Sequence, residues 1–341
     1  MGDYITIGDT IIFSPKFNLT LNPLILINYK KIIFSDYELS KTLFDAYSNN
    51  NLNILNNMIW IGSKFNNPLS NSLDRLINLT HINFGSGFNL PLLNSLDGLI
   101  NLVNINFGFN FNHPLSNSLD KLINLTHINF GYSFNHSLST SLDKLINLTH
   151  LTFGSNFNHP LSNSLDSLIN LVHINFGNYF NHPLSNSLDE LINLVHITFG
   201  YYFNQSLSNS LGNLINLVHI TFGYYFNEKL DIPHNIKSIN LDCNNQYIIN
   251  NLPDSIEELE LGCRFNLELN DLPSSIKKII FDKDSKYNKQ LNNLPKAVEL
   301  LELPSKYNIQ IINIPQEFKK VICSKDYEFI NNFSNFKVET Y

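Results

Sequence analysis

Cationic side chains are sparse in this chain. Its 22 Lys and Arg are outnumbered by 29 Asp and Glu, leaving a formal charge of −7, and no segment gathers Lys or Arg into a stripe. A groove for nucleic acid needs such clustering, so a nucleic-acid partner is not expected. Cysteine is scarcer still: Cys243, Cys263 and Cys323 are too few and too late in the chain for a disulfide framework. The first two occupy like positions in adjacent segments and read as small buried hydrophobes. The opening MGDYITIGDT has no apolar h-region, and no apolar run approaches the ~18 residues of a membrane span. The expectation is a soluble, intracellular, cytoplasmic protein without a membrane partner. Met1-Gly2 with Thr6 fits a myristoylation pattern only loosely, and Ile5 to Phe13 reads better as a first structural coil. Phosphate-cradling glycine loops are missing too, because Gly85, Gly108, Gly131 and their copies occur singly. No Ser-His-Asp or Cys-His grouping stands apart from the repeating pattern. Catalysis needs a unique, asymmetric pocket, so the reading is no enzyme, no cofactor and no metal site.

What the sequence does contain is a period. Eight Phe-Asn dipeptides recur every 23 residues, from Phe65-Asn66 to Phe226-Asn227. A fixed period of this length marks a repeat architecture, in which each unit buries its apolar face only by stacking on its neighbours. A chain of 341 residues with 43% hydrophobic content can supply one long continuous core.

One repeat shows how the coil is built. In Leu171 to Leu184, Leu171, Ile174 and Phe176 point inward while His173 and Asn175 alternate with them, the pattern of a short half-buried strand. Gly177 lets the backbone leave the strand, Phe180 fills the space under the turn, and Asn181 is expected inside, bonding free backbone groups of the turn and the next coil. The second half carries Leu188, Leu191 and Leu194 at spacings of three, which predicts 3₁₀ or single-turn helix with Ser187 or Asp189 as its cap. Asp74, Asp97, Asp120, Asp143, Asp166 and Asp189 line up in the same way, and Gly212 breaks the series. Catalytic carboxylate pairs need unequal surroundings, and a repeated column gives equal ones, so these read as caps.

These residues carry a family resemblance. The unit LxxLxFGxxFNxPLxxSLxxLxN from Ile59 to Asn227 resembles the FNIP repeat, a leucine-rich-repeat relative found chiefly in social amoebae and in large viruses that infect amoebae. The resemblance implies an α/β-type repeat solenoid: a leucine-rich-repeat-like horseshoe with one parallel sheet on its concave face and short 3₁₀ or loop segments on its convex face. It would place the chain in the host cytoplasm if viral. Downstream, LPDSIEELELGCRFN and its successors are shorter coils closer to the FNIP consensus, with Tyr287 and Tyr307 standing in for Phe. Upstream, Ile11 to Phe13 with Phe17, and Ile32 to Phe34 with Tyr37, suggest two irregular coils, and Asp36 to Asn57 leaves room for one short helix. The reading is one continuous solenoid: irregular N-terminal coils over 1–56, regular repeats over 57–227, divergent coils and a C-terminal cap over 228–341. Many FNIP relatives carry an N-terminal F-box, and residues 1–56 lack its Leu-Pro opening and helical run.

Four sets of outward positions remain. His81, His127, His150, His173, His196 and His219 share an outward strand position, with Asn104 as the exception, and should stack in a column that titrates below the free imidazole value. A straight column does not converge on a metal. A second set, His113, His136, His159 and His182, follows the ladder Asn. Late in the array the residues after the strand glycine become Tyr201-Tyr202 and Tyr224-Tyr225, preceded by Tyr179, Tyr132 and Phe109. Such rings add contact area at recognition surfaces, or else pack only on one another. In the last coils Lys237, Glu257, Lys277, Glu299 and Lys319 alternate in sign and should pair rung to rung. The functional expectation is a monomeric, non-catalytic scaffold that binds a protein partner through the concave face, at Tyr201, Tyr202, Tyr224, Tyr225, His127, His150, His173, His196 and His219. The alternatives are a ubiquitin-ligase substrate-recognition subunit, by analogy with F-box relatives, and a structural repeat protein with no specific partner.

Overall fold

The computed structural model describes residues 3–49 and 52–341, so Met1 and Gly2 of the myristoylation-like pattern lie outside the described residues. By its contacts the chain divides into two compact units. The first holds Met1–Phe180 with Asn186–Leu191, and the second holds Asn181–Ser185 with Ile192–Tyr341. Each is a leucine-rich-repeat-like parallel β-solenoid with few helices.

In the first unit the strands are β1 (Tyr4–Ile7), β2 (Thr10–Phe13), β3 (Lys31–Phe34), β4 (His81–Asn83), β5 (Asn104–Asn106), β6 (His127–Asn129), β7 (His150–Thr152) and β8 (His173–Asn175). β1 and β2 form an antiparallel hairpin, and every later neighbour pairs in parallel and in register, such as His127 opposite His150. The strands are three or four residues long because each repeat spends only one inward residue, such as Ile128, between two outward ones. Behind them two stacks of phenylalanine fill the interior. Strand-end Phe107 and Phe130 lie 5.6 Å apart, turn Phe111 and Phe134 lie 6.1 Å apart, and the stacks interlock at 4.4 Å between Phe107 and Phe111. Leu115, Leu119, Leu122 and Leu125 close the far side, none more than 1% exposed.

The convex half follows the 3₁₀ hydrogen-bond pattern without building continuous helix. Leu122 N–H donates to Leu119 C=O and Leu125 N–H to Leu122 C=O, both at 2.9 Å, a chain of i to i+3 turns. Backbone closes these turns: Asp120 N–H donates to Asn117 C=O at 3.1 Å. The serine expected to cap instead faces inward, with Ser118, Ser164 and Ser187 all buried.

The asparagine ladder exists, but at the surface. Asn112 N–H donates to Asn89 Oδ1 and Asn135 N–H to Asn112 Oδ1, each at 2.9 Å, so one side chain satisfies the next coil's backbone. With Phe111 and Phe134 turned inward, the residue after each must turn outward, which puts the ladder on the rim. A second ladder runs along the convex side, where Asn124 Nδ2 donates to Ile100 C=O and Asn147 Nδ2 to Ile123 C=O, both at 2.9 Å.

The N-terminal coils depart from the sequence reading. β3 pairs directly with β4, Lys31 opposite His81, so the segment between them is an insertion. It holds α2 (Lys41–Ser48) and a 3₁₀ turn (Leu52–Asn57), after α1 (Pro23–Leu26) in the preceding coil. The phenylalanine that completes the β3 coil is Phe65, stacked 3.9 Å from Phe34, not Tyr37. The strand position of that coil is already filled by β3. Ile59, Trp60 and Ile61 therefore remain exposed, tied to the chain by a single antiparallel bridge from Trp60 to Tyr37.

The second unit holds β9 (His196–Thr198), β10 (His219–Phe222), β11 (Ser238–Leu241), β12 (Glu258–Leu261), β13 (Lys278–Phe281), β14 (Leu300–Glu302), β15 (Lys320–Cys323) and β16 (Lys337–Thr340), paired in parallel in chain order. The short helix α3 (Gln246–Asn250) fills the convex side of one coil, capped by Asn245 Oδ1 accepting from Ile248 N–H. Tyr287, Tyr307 and Tyr327 replace phenylalanine in the turn stack, with centroids 6.1 and 6.2 Å apart. The Tyr307 and Tyr327 hydroxyls reach the carbonyls of Lys289 and Ile309, whereas the buried Tyr287 hydroxyl has no partner among the described residues. Cys243 is buried as expected and Cys323 is buried too, but Cys263, expected to be buried, is exposed.

The alternating charges pair across rungs. Glu257 lies 2.7 Å from Lys277 and 3.4 Å from Lys237, and Glu299 lies 2.8 Å from Lys319. Being about half exposed, each such pair is screened by solvent and adds little to stability.

Candidate binding surface

The outward strand positions of the first unit bring the histidines together as a stacked file. His127 and His150 rings lie 4.2 Å apart at 7°, and His150 and His173 rings 4.4 Å apart at 14°. A threonine precedes each of His81, His127 and His150, and its hydroxyl fixes the tautomer. Thr126 Oγ1 donates its only proton to Val103 C=O at 3.2 Å, so it must accept from His127 Nδ1–H at 2.7 Å. Thr149 does the same between Thr126 C=O and His150 Nδ1. The neutral rings therefore carry the proton on Nδ1. The second histidine set holds the opposite tautomer: His113, His136 and His159 donate from Nε2 to the carbonyls of Asn89, Asn112 and Asn135 at 3.1 to 3.2 Å, stapling one coil to the last.

Partial burial, ahead of neighbouring charge, holds His81, His127 and His150 below the free imidazole value. For these three the direction is the one expected from the sequence, and burial is its largest cause. Beside burial, His81 feels Lys31 and His127 against Asp9, and His150 feels His127 and His173. A folded value below the unfolded one means that the unfolded chain binds more protons, so stability is lost as pH falls through about 6.5. Thermal unfolding followed by circular dichroism should give a lower midpoint at pH 5.5 than at pH 7.5. Replacing His81, His127 and His150 by Asn, the residue that the same row already holds at Asn104, should flatten that dependence. An NMR titration placing all three rings at or above the free value would remove the argument.

In the second unit His196 and His219 stack at 4.2 Å and 2°, and the row then changes to Ser238, Glu258 and Lys278. Past the strand ends lies the tyrosine cluster. Tyr201 stacks on Tyr224 at 5.4 Å, Tyr202 on Tyr225 at 5.1 Å, and the two stacks meet edge to face at 73° and 76°. The rings thus do pack on one another, yet Tyr202 stays 39% and Tyr225 48% exposed. An earlier pair, Phe109 on Tyr132 at 4.5 Å, forms the same kind of stack in the first unit.

Two features of the second unit were not singled out from the sequence. Arg264, one of only two arginines in the chain, lays its guanidinium over the tyrosines, with Cζ 4.5 Å from the Tyr224 centroid and 5.1 Å from that of Tyr201. Nothing periodic marks it, because its ring partners belong to earlier rungs. The other is a cleft of about 400 Å³ opened beside Gly212 and walled by Leu207, Leu211, Leu230, Pro233 and Tyr247. The loss of Asp at Gly212 was its only sequence signal.

Among the described residues no three or more His, Cys, Asp or Glu are placed to hold a metal, and no helix is long and apolar enough to cross a membrane.

The FNIP Repeat family model matches residues 226–264, from the last Phe-Asn of the regular block into the shorter coils whose wording is closer to the FNIP consensus. The chain carries an FNIP repeat on a leucine-rich-repeat-like solenoid. It is similar to CroV588, a circular leucine-rich-repeat protein of a giant virus, at 25% identity and a TM-score of 0.70, over 96% of this chain and 48% of that one. It is also similar in fold to the internalin InlF of Listeria monocytogenes, with 17% identity, a TM-score of 0.56, and 83% and 85% of the two chains covered. A third similar structure is the Toll–Spätzle complex of Drosophila, with 14% identity, a TM-score of 0.61, and 94% and 48% covered. The chain thus spans about half the length of the viral and Toll structures. Among curated proteins none matches it.

Proposed function

We propose that the chain is a non-catalytic protein-binding module, and that in the second unit the contact surface centres on Tyr202 and Tyr225, with Tyr201, Tyr224, His196 and His219 beside them. In the first unit, His127, His150 and His173 offer a flatter, partly buried surface of the same kind. The observation that carries this reading is the division within the tyrosine cluster. Tyr201 and Tyr224 are committed to Arg264, which holds the corner rigid, while Tyr202 and Tyr225 of the second stack stay partly exposed. Rigid exposed aromatics lose little entropy on binding and supply much of an interface's energy. The fold is one typical of protein-interaction scaffolds, which agrees with this reading.

The test compares the full chain with the double variant Tyr202→Ala, Tyr225→Ala. Each is used to capture proteins from a host-cell lysate, and the captured protein is purified and re-bound directly. The expected result is direct binding to the full chain, weakened in the variant by about tenfold or more, as for loss of hot-spot aromatics. Equal binding by both chains would sink the proposal. Ubiquitin-ligase subunits in the eluate would turn the reading to an adaptor.

A further inference from the structure

The tyrosine corner also bears on the chemistry of the partner, an inference that rests on the binding surface proposed above. We propose that Arg264 anchors a carboxylate of an acidic protein segment, whose adjoining apolar or aromatic side chain lies on Tyr202 and Tyr225.

Three observations lead there. Arg264 is held by its face, stacked over Tyr201 and Tyr224 in the cation–π geometry. A guanidinium donates five N–H groups in its own plane, so stacking, with side-chain hydrogen bonds to Tyr224 and Cys263, still leaves part of its N–H edge available. Next, Arg264 has no ion-pair partner among the described residues, although its neighbours along the unit do. Lys237 and Lys277 pair with Glu257, Lys278 with Glu258, Lys319 with Glu299, and Lys320 and Lys337 with Glu339. The carboxylate next to it in the structure is already in use: Asp242 Oδ1 accepts the backbone N–H of Arg264 at 3.1 Å. A planar cation kept in place and left without an anion is suited to a carboxylate arriving in bidentate fashion. Finally, the two tyrosine stacks meet nearly at right angles. An anion held at Arg264 therefore brings the residue beside it over the exposed stack.

The cation stands alone there, and this favours a carboxylate over a phosphate. Phosphate-reading surfaces gather several arginines around a group carrying close to two charges. Arg264 is the second unit's sole arginine. The overall charge of −7 gives no long-range attraction for an acidic partner, so recognition here is by contact geometry.

The test is fluorescence anisotropy on the full chain with three labelled probes: a random copolymer of Glu and Tyr, the corresponding copolymer of Lys and Tyr, and the Glu–Tyr copolymer phosphorylated on tyrosine. The Glu–Tyr copolymer should bind, and Arg264→Gln should weaken it on the order of tenfold, the scale of one charge-assisted bidentate contact. Arg264→Lys, which keeps the charge and loses the planar fork, should recover only a minor part of the affinity. Equal binding of the Lys–Tyr copolymer, or an unchanged affinity in Arg264→Gln at an unchanged thermal midpoint, would overturn the proposal. So would a phosphorylated copolymer that binds more than about tenfold tighter, since that would point to a phosphate reader. A captured partner that is lost on Tyr202→Ala, Tyr225→Ala but retained by Arg264→Gln would remove the acidic anchor and leave the protein-binding role standing.

Discussion

Gly131→Ala should destabilise the first unit by about 3 kcal/mol or more, a loss out of scale with one added methyl group. A Cβ at Gly131 would fall inside the van der Waals envelope of the Gly108 carbonyl, and Gly154 and Gly177 stand in the same relation to the glycine one coil before them. The obstacle is backbone, so no side chain can swing away to make room. Relief requires the coils to separate, and that breaks the register on which β5, β6 and β7 depend. The control is Gly212→Ala. No atom lies within 4 Å of a Cβ there, and the change should be neutral or stabilising by a few tenths of a kcal/mol. Urea unfolding of the two variants beside the parent chain decides the matter. Coincident midpoints for Gly131→Ala and Gly212→Ala would show that the close approach carries no weight.

The second large effect is expected at Phe134→Ala, a loss of about 3 to 5 kcal/mol. Phe134 is fully buried, 4.3 Å from Phe130 within its own coil and 6.1 and 6.2 Å from Phe111 and Phe157 on either side. In a stack where each repeat touches only its neighbours, a missing ring cannot be replaced from elsewhere, and the cavity is lined by other phenylalanines that are themselves held in register. Phe134→Leu should recover part of the loss. Denaturant midpoints with an unchanged slope would locate the effect in native stability, whereas a loss below about 1 kcal/mol would mean that the coils collapse onto the gap.

Most of the inward-facing positions were legible in the sequence, and the reason is physical. A residue such as Ile128 or Leu122 meets its own copies above and below, so the period fixes its surroundings as well as its fold. The charge alternation from Lys237 to Lys319 was legible on the same grounds, since rung neighbours are known once the register is. Readings that failed concern direction and local competition. The sequence pattern puts Asn181 inside, yet it is exposed, because its neighbour Phe180 takes the inward side. Tyr37 was assigned a spine position that Phe65 fills from beyond an insertion. Ser187 was offered as a cap and is buried.

The candidate surface divides along the same line. The chain's period by itself determined that the histidines would file together, that the late tyrosines would neighbour one another, and that a parallel solenoid would carry them. Only the tertiary structure decided which of those tyrosines lie under Arg264. Arg264 lies one coil beyond the nearest aromatic-free turn, and whether it reaches Tyr224 depends on how far the shorter coils step past the longer ones. Repetition encodes contacts between equivalent positions one period apart. A contact between unlike positions, made by a single arginine across a change of period, depends on side-chain geometry that no periodicity records.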